Sequence, residues 1–258
     1  MRINKRFILI SCLFLIATLA LGASLNSAYR LPILMYHSIS QPSDAKDKLT
    51  VSPKAFARQM EYLRDKGYNV ITLKEAVSYI GERKRPPKKT VAITIDDGYE
   101  NNYVSAYPVL KRYGMPATIF VITGRIGDEG FMTWDEIREL SNSGIIDIES
   151  HTKFHKWLTG LDDETLKVEL EDSKRILESR LGKEVPFVCY PMGGYDERVA
   201  SAARAAGYKA AFGTKRRRIS ARGDPYAVSR VRISGTADNL FVFAIKISGY
   251  YNFFKRPR

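Results

Sequence analysis

Short apolar runs alternate with amphipathic helical patterns along most of this 258-residue chain. Leu31 to Tyr36 reads as a first strand that ends at His37. Ser52 and Pro53 open a helix whose apolar stripe is Phe56, Met60 and Leu63, and Gly67 stops it. Tyr68 to Ile71 reads as a short strand, and Thr72 caps a helix to about Ile80. After a basic, proline-containing connector, Val91, Ala92, Ile93 and Ile95 form a buried central strand. A helix from about Tyr103 to Tyr113 and a strand from Ala117 to Val121 follow. Thr133 and Glu136 form a capping box for a helix over 134–142, and a strand runs from Ile145. Asp162 or Asp163 opens the longest predicted helix, with Leu166, Leu170, Ser173, Leu177 and Leu181 on one face and Gly182 as its stop. The remaining pattern predicts a strand over 185–190, a helix capped by Asp196, strands over 208–213 and 228–233, and a closing helix from Leu240 to Ile247.

Strands alternating with helices predict a parallel sheet with helical crossovers. About seven or eight such units predict an α/β chain closed, or nearly closed, into a barrel, with its chemistry at the C-terminal strand ends. His37, Asp96, Asp97, His151 and the loop from Pro191 to Gly194 all fall at such ends. The central strand stops in Asp96-Asp97-Gly98, which brings two like charges to one place. That is costly unless a cation or a proton compensates it. An ordinary acidic turn would carry the same letters.

The N-terminus changes the domain picture. Arg2, Lys5 and Arg6 precede a run from Phe7 to Tyr29 that holds no charged residue. Residues 1–28 therefore read as a signal peptide or a membrane anchor, leaving residues 29–258 as one barrel domain. Small residues at Ala20 to Ala23 and at Ser27-Ala28 suit cleavage, and the run's length suits anchoring. The expected location is periplasmic, extracellular or on the outer face of the cytoplasmic membrane. Cys12 lies in this segment, so Cys189 is alone in the exported part and no internal disulfide framework exists there. The formal charge is +13, and +10 with Arg2, Lys5 and Arg6 set aside, which suits an anionic envelope surface or polymer. Lys215-Arg216-Arg217-Arg218 has no aromatic platform beside it, so it reads as a solvated loop and nucleic acid is not an expected partner.

His151 and His155 are two of the chain's three histidines. On a helical turn, residues four apart share a face. Two imidazoles held that way, with one carboxylate, make a facial set of three metal ligands and leave positions for water and substrate. The joint presence of an Asp-Asp pair and a His pair, each after an apolar strand, would bring both to one rim.

Thr94-Ile95-Asp96-Asp97-Gly98 and His151-Thr152-Lys153-Phe154-His155 resemble the first two motifs of the polysaccharide deacetylases, carbohydrate esterase family four. Pro32 to His37 resembles the subset acting on poly-N-acetylglucosamine exopolysaccharides, and the likeness spans roughly Leu31 to Ile247. The resemblance implies an irregular (β/α) barrel of about seven strands. It implies a divalent metal, zinc above others, on Asp97, His151 and His155, with Asp96 as general base. The substrate would be an N-acetylated polysaccharide. The third motif would be Cys189-Tyr190-Pro191-Met192-Gly193, with the Met192 N–H as oxyanion donor.

The chain departs from the family at three places. Cys189 stands where many members have the arginine that steadies the base; Arg230 or Arg232 could replace it, Arg230 being preferred. Met192 stands where a tyrosine is common. No histidine follows His155, so the late general acid is missing and His37 is the remaining candidate. An O-acetyl esterase, or a silent polysaccharide-binding barrel, would share most of this pattern. Tyr99, Trp134, Trp157 and Leu158 are expected near the rim, where aromatic faces could stack on sugar rings.

Overall fold

The computed structural model describes residues 29–41, 49–214 and 224–251. The expected export segment and Lys215 to Arg218 lie outside them. The chain runs β1 (Ile33–Tyr36), α1 (Pro53–Asp65), β2 (Asn69–Ile71), α2 (Leu73–Gly81), β3 (Thr90–Ile95), α3 (Tyr107–Tyr113), β4 (Ala117–Val121), α4 (Trp134–Asn142) and β5 (Ile146–Ser150). It continues through α5 (Asp163–Lys167), α6 (Ser173–Leu181), β6 (Phe187–Cys189), α7 (Glu197–Ala205), β7 (Ala210–Gly213), β8 (Val228–Ser229), β9 (Val231–Arg232) and α8 (Leu240–Ile247). Among the described residues no helix is long and apolar enough to cross a membrane.

The nine strands form one sheet in the order β8-β7-β6-β5-β4-β3-β1-β9, with β2 also on β3. Every pairing is parallel. The two ends of that order, β8 and β9, are consecutive in the chain and flank Arg230. This one stretch of backbone bonds Gly213 of β7 through the Arg230 N–H and Met35 of β1 through the Ile233 N–H. The sheet is thereby nearly closed into a barrel. The expected strand over 228–233 is thus two short strands, because it must serve two neighbours facing different ways around a seam.

Alternate residues separate outside from inside, as strand geometry requires. Val91, Ile93 and Ile95 of β3 and Ile119 and Val121 of β4 join the outer core under the helices. Ile33, Ala92, Phe120, Phe187, Phe212 and Val228 fill the barrel. Leu73 and Ala76 of α2 belong to that inner cluster, so α2 plugs the barrel at the strands' N-terminal end. The polar residues that line the cleft lie at the other end.

The caps are those the sequence predicts. Ser52, Thr72, Thr133, Asp162 and Asp196 each accept a backbone N–H at a helix start. Two expected helices are not uniform. A wide turn over Asn102–Ala106 precedes α3, and another over Val168–Asp172 separates α5 from α6. In these turns the backbone bonds span one residue more than in an α-helix, a distortion that recurs at functional sites.

One inward residue of β5 is anomalous. Glu149 is buried, and its Oε2 accepts the Phe187 N–H at 2.8 Å. Burial pushes its pKa well above the ordinary 4.5, against the pull of that hydrogen bond. The folded state then holds a proton that the unfolded chain releases, so stability is greatest below pH 4.5 and falls as pH rises toward the folded value. Glu149→Gln, which can still accept the Phe187 N–H, is expected to flatten that fall. Urea midpoints measured from pH 4 to 8 check it, and a variant as pH-dependent as the parent would contradict it.

Candidate active site

The open end of the barrel holds a cleft of about 290 Å³, lined among others by His37, Asp96, Asp97, His151, His155, Met192 and Arg230. Every residue singled out for chemistry from the sequence reaches it.

Asp96 and Arg230 form its floor. Arg230 donates from Nη1 to Asp96 Oδ1 at 2.7 Å and from Nη2 to Oδ2 at 2.6 Å. Both side chains are almost wholly buried. Nη1 also donates to Thr94 Oγ1 at 2.9 Å, and the guanidinium lies 5.4 Å from the Phe120 ring centroid. Burial would raise the Asp96 pKa, but the charge and paired hydrogen bonds of Arg230 outweigh it and hold the carboxyl far below its usual range. Cys189 explains how this arginine fits. Its buried Sγ lies 2.9 Å from Nη2, so a small side chain at 189 leaves the space that a guanidinium from the barrel seam fills. Arg232 also lines the cleft without contacting Asp96, which decides between the two candidates.

Asp97, His151 and His155 converge beside it. Asp97 Oδ1 lies 3.4 Å from His151 Nε2 and 3.6 Å from His155 Nε2. His151 Nδ1 lies 2.8 Å from the Cys189 carbonyl oxygen, an acceptor only, so Nδ1 carries the hydrogen. In the neutral ring the Nε2 lone pair then faces a carboxylate oxygen. Burial works against a charged His151, yet Cys189 and Asp97 around it raise its pKa well above the ordinary imidazole value. Burial and the neighbouring His151 push His155 the other way, down to about 4. The atoms thus call for positive charge between them while one imidazole stays neutral. A carboxylate and two imidazole nitrogens within 4.8 Å of one another fit a divalent cation, and zinc takes such N and O donors.

The route by which the histidines meet differs from expectation. Residues 151–155 form a loop, not a helical turn, with Thr152 at φ 64° and His155 at φ 57°. Asp97 (φ 76°) and Met192 (φ 54°) are also left-handed. Such backbone costs about 1–2 kcal/mol per residue. Four of the six non-glycine residues with positive φ among the described residues lie here, so the surroundings must impose it. Helical backbone would lose the contacts that do so. Thr152 N–H donates to Ser150 Oγ at 3.1 Å, and His155 N–H to Thr152 Oγ1 at 3.2 Å. From the turn after β4, the Gly124 N–H donates to the Lys153 carbonyl at 2.8 Å. A Cβ on Gly124 would meet that same oxygen at 2.6 Å, so only glycine permits the approach.

Glu169 clamps the other side. It sits in the wide turn between α5 and α6, fully buried, and its Oε2 accepts the N–H groups of Lys153 at 3.0 Å and Phe154 at 2.7 Å. Sequence reading passed over it. The available signal was a carboxylate three residues after Leu166, on the stripe meant to be apolar. Supports of this kind behind metal ligands are typically worth 10- to 100-fold in metal affinity. Glu169→Ala, which removes the acceptor of both N–H groups, is expected to weaken zinc binding by about that factor with the helix content intact. Competition with a chromophoric chelator measures it; an unchanged affinity would mean the loop holds without the clamp.

His37 follows β1 with Nε2 3.8 Å from Asp96 Oδ2 and Nδ1 buried without a partner. Burial lowers its pKa, against the pull of Asp96 and Asp97. Met192 lines the opposite wall with its side chain more than half exposed. The expected sugar platforms fare less well. Leu158 is fully buried, the Tyr99 ring lies 5.1 Å from that of Phe131, and Trp134 packs on the outer core beneath Arg180. Their apolar surface is used within the fold. Trp157 alone lies beside the cleft wall, packed so closely over Gly194 that a Cβ there would meet the indole at 2.5 Å.

The family model described as polysaccharide deacetylase matches residues 83–211, half of the chain. A Bacillus subtilis protein named as a polysaccharide deacetylase, YxkH, is 40% identical over 221 residues, covering 84% of this chain and 77% of that protein. The chain belongs to the polysaccharide deacetylase family. This deacetylase is also 30% identical over 210 residues to the poly-β-1,6-N-acetyl-D-glucosamine N-deacetylase of Staphylococcus aureus, covering 76% of the chain and 71% of that enzyme. Among solved structures, the Streptococcus pyogenes deacetylase PplD in complex with acetate superposes with a TM-score of 0.74 at 29% identity, covering 82% of this chain and 96% of that one. The fold is the family's (β/α) barrel, and the protein is a hydrolase.

Proposed function

We propose that this deacetylase removes N-acetyl groups from a β-1,6-linked N-acetylglucosamine polysaccharide outside the cytoplasmic membrane. The observation that carries it is the convergence of Asp97, His151 and His155 on one point beside a carboxylate already committed to Arg230. The S. aureus enzyme, named for that polymer, supports the substrate class. The basic flank and the uncharged run from Phe7 to Tyr29 support export.

Asp97, His151 and His155 would hold the divalent ion, zinc by the donor set. When bound, such an ion polarises the scissile carbonyl and brings the pKa of water toward neutrality. The chain's own groups do the rest. Asp96, kept ionised by Arg230, takes the proton of the attacking water at a carboxylate oxygen. Held ionised in this way, Asp96 is available as a base at any pH near neutrality. The Met192 N–H stabilises the oxygen that gains charge. His37 Nε2, 3.8 Å from Asp96, gives a proton to the departing sugar nitrogen. Water and amide become acetate and a free amine.

Acetate release from β-1,6-linked N-acetylglucosamine oligomers, compared with acetylated xylan and repeated with a chelator, tests this reading. Release from the oligomers alone, abolished by the chelator and restored by zinc, is the expected result. Release from xylan alone would overturn the substrate, and indifference to the chelator would overturn the metal.

A further inference from the structure

α8 is inside out. Its one charged residue, Lys246, is buried and donates to the Arg232 carbonyl at 3.0 Å. Phe241 is 72% exposed and Ile245 is 45% exposed, one helical turn apart on one face. Leu240, Val242 and Ala244, the half-buried residues beside them, are apolar as well. A surface helix normally turns its charges outward, and one apolar all round is normally covered. Nothing in the catalytic reading uses this face.

The place where the chain enters the fold says what covers it. The uncharged run from Phe7 ends at Tyr29. The Tyr29 ring lies edge-on to Tyr250 at 5.7 Å, and the Arg30 N–H donates to the Gly249 carbonyl at 2.9 Å. The run therefore joins the domain two residues beyond the end of α8. The sequence after Tyr251 adds Phe253, Phe254, Lys255, Arg256 and Arg258. Aromatic residues followed by cations are the composition of a segment at an anionic lipid surface.

We propose that the outer face of α8 rests in the interface of an anionic bilayer, with Phe241 and Ile245 among the acyl chains and the apolar run of residues 1–28 as the membrane anchor beside it. This rests on the export reading, in its uncleaved form. Two attachments fix an orientation where one would leave a tether. The anchor joins at the strands' N-terminal end and α8 lies along the barrel wall, so the barrel lies on its side. The cleft, at the strands' other end, then opens parallel to the membrane surface, within reach of polymer emerging there.

The full chain, placed in phosphatidylethanolamine–phosphatidylglycerol vesicles, tests this with two single-tryptophan additions. Phe241→Trp reports on α8; Val168→Trp, exposed on the opposite side of the sheet order, is the control. With bromine-labelled acyl chains, the emission added by Phe241→Trp is expected to fall by about half, because an interfacial helix buries its apolar face about 5–10 Å deep. Val168→Trp is expected to be unchanged. A chain that floats with the vesicles but shows no quenching at 241 overturns the docking and leaves the anchor standing. That is also the outcome if residues 1–28 or a second copy cover α8. A chain that does not float overturns the anchor and the docking with it.

Discussion

Asp96→Asn is expected to lower turnover on N-acetylglucosamine oligomers by about 10³- to 10⁴-fold while zinc affinity stays within about threefold, since a positioned general base contributes at the upper end of the usual 10²–10⁴ range when nothing else can take the proton. The separation follows from geometry. Asp97, not Asp96, faces both imidazole nitrogens, so the donor set for the ion is untouched. Asparagine keeps one acceptor for Arg230 but turns an amide N–H₂ on the second guanidinium hydrogen bond. Beside Arg230, the groups next to Asp96 Oδ2 are the Cys189 thiol at 3.6 Å, which burial keeps protonated, and His37 at 3.8 Å, whose pKa burial lowers. Acetate release and chelator competition on the same preparation decide the matter, with far-ultraviolet circular dichroism as the check on folding. If the variant loses zinc along with turnover, Asp96 is a ligand and the division of labour drawn here is wrong. If it turns over within tenfold of the parent, another group is the base.

What the sequence made legible, and what it hid, divides along a physical line. Periodicity located the strands of the barrel because their outward faces are apolar against the helices, as at Val91, Ile93 and Ile95. Capping chemistry is local, so Thr72 and Thr133 could be read from a few neighbouring letters. The Asp96-Asp97 pair and the two histidines were visible because such residues at strand ends are rare and costly. The path between the histidines was not visible. Spacing by four suits a helix equally well, and it takes tertiary contacts from Gly124 and Glu169, with the local one to Ser150, to force the left-handed loop instead. The seam was hidden for the same kind of reason. Residues 228–233 read as one strand, and nothing local shows that its two halves bond to β7 and β1. The wide turn that presents Glu169 carries no glycine or proline to betray it.

That seam makes Arg230→Met the substitution with the largest expected effect on stability. Methionine keeps the apolar stem within the barrel but removes both donors from a carboxylate that is 2% exposed. Breaking a buried pair by taking one partner costs about 3–5 kcal/mol. The pH dependence carries the sharper signature. In the parent, Arg230 depresses the Asp96 pKa below 3.8, so the pair's stability is fully present above that value and is lost as pH falls through the depressed pKa. In the variant burial pushes the Asp96 pKa upward, above 3.8, with only His151 and His37 left to oppose it. Stability is then greatest below 3.8 and falls as pH rises. The gap between the two proteins must therefore be widest near neutrality and narrow on acidification. The acid limb of the activity profile must move upward with it, since Asp96 can act as a base only when ionised. Arg230→Lys, a single charge without the paired geometry, should recover part of each effect. Urea denaturation of the three proteins at pH 4 and pH 7 gives the answer. Equal pH slopes in parent and Arg230→Met would show that the guanidinium merely fills the barrel seam and does not set the charge of Asp96.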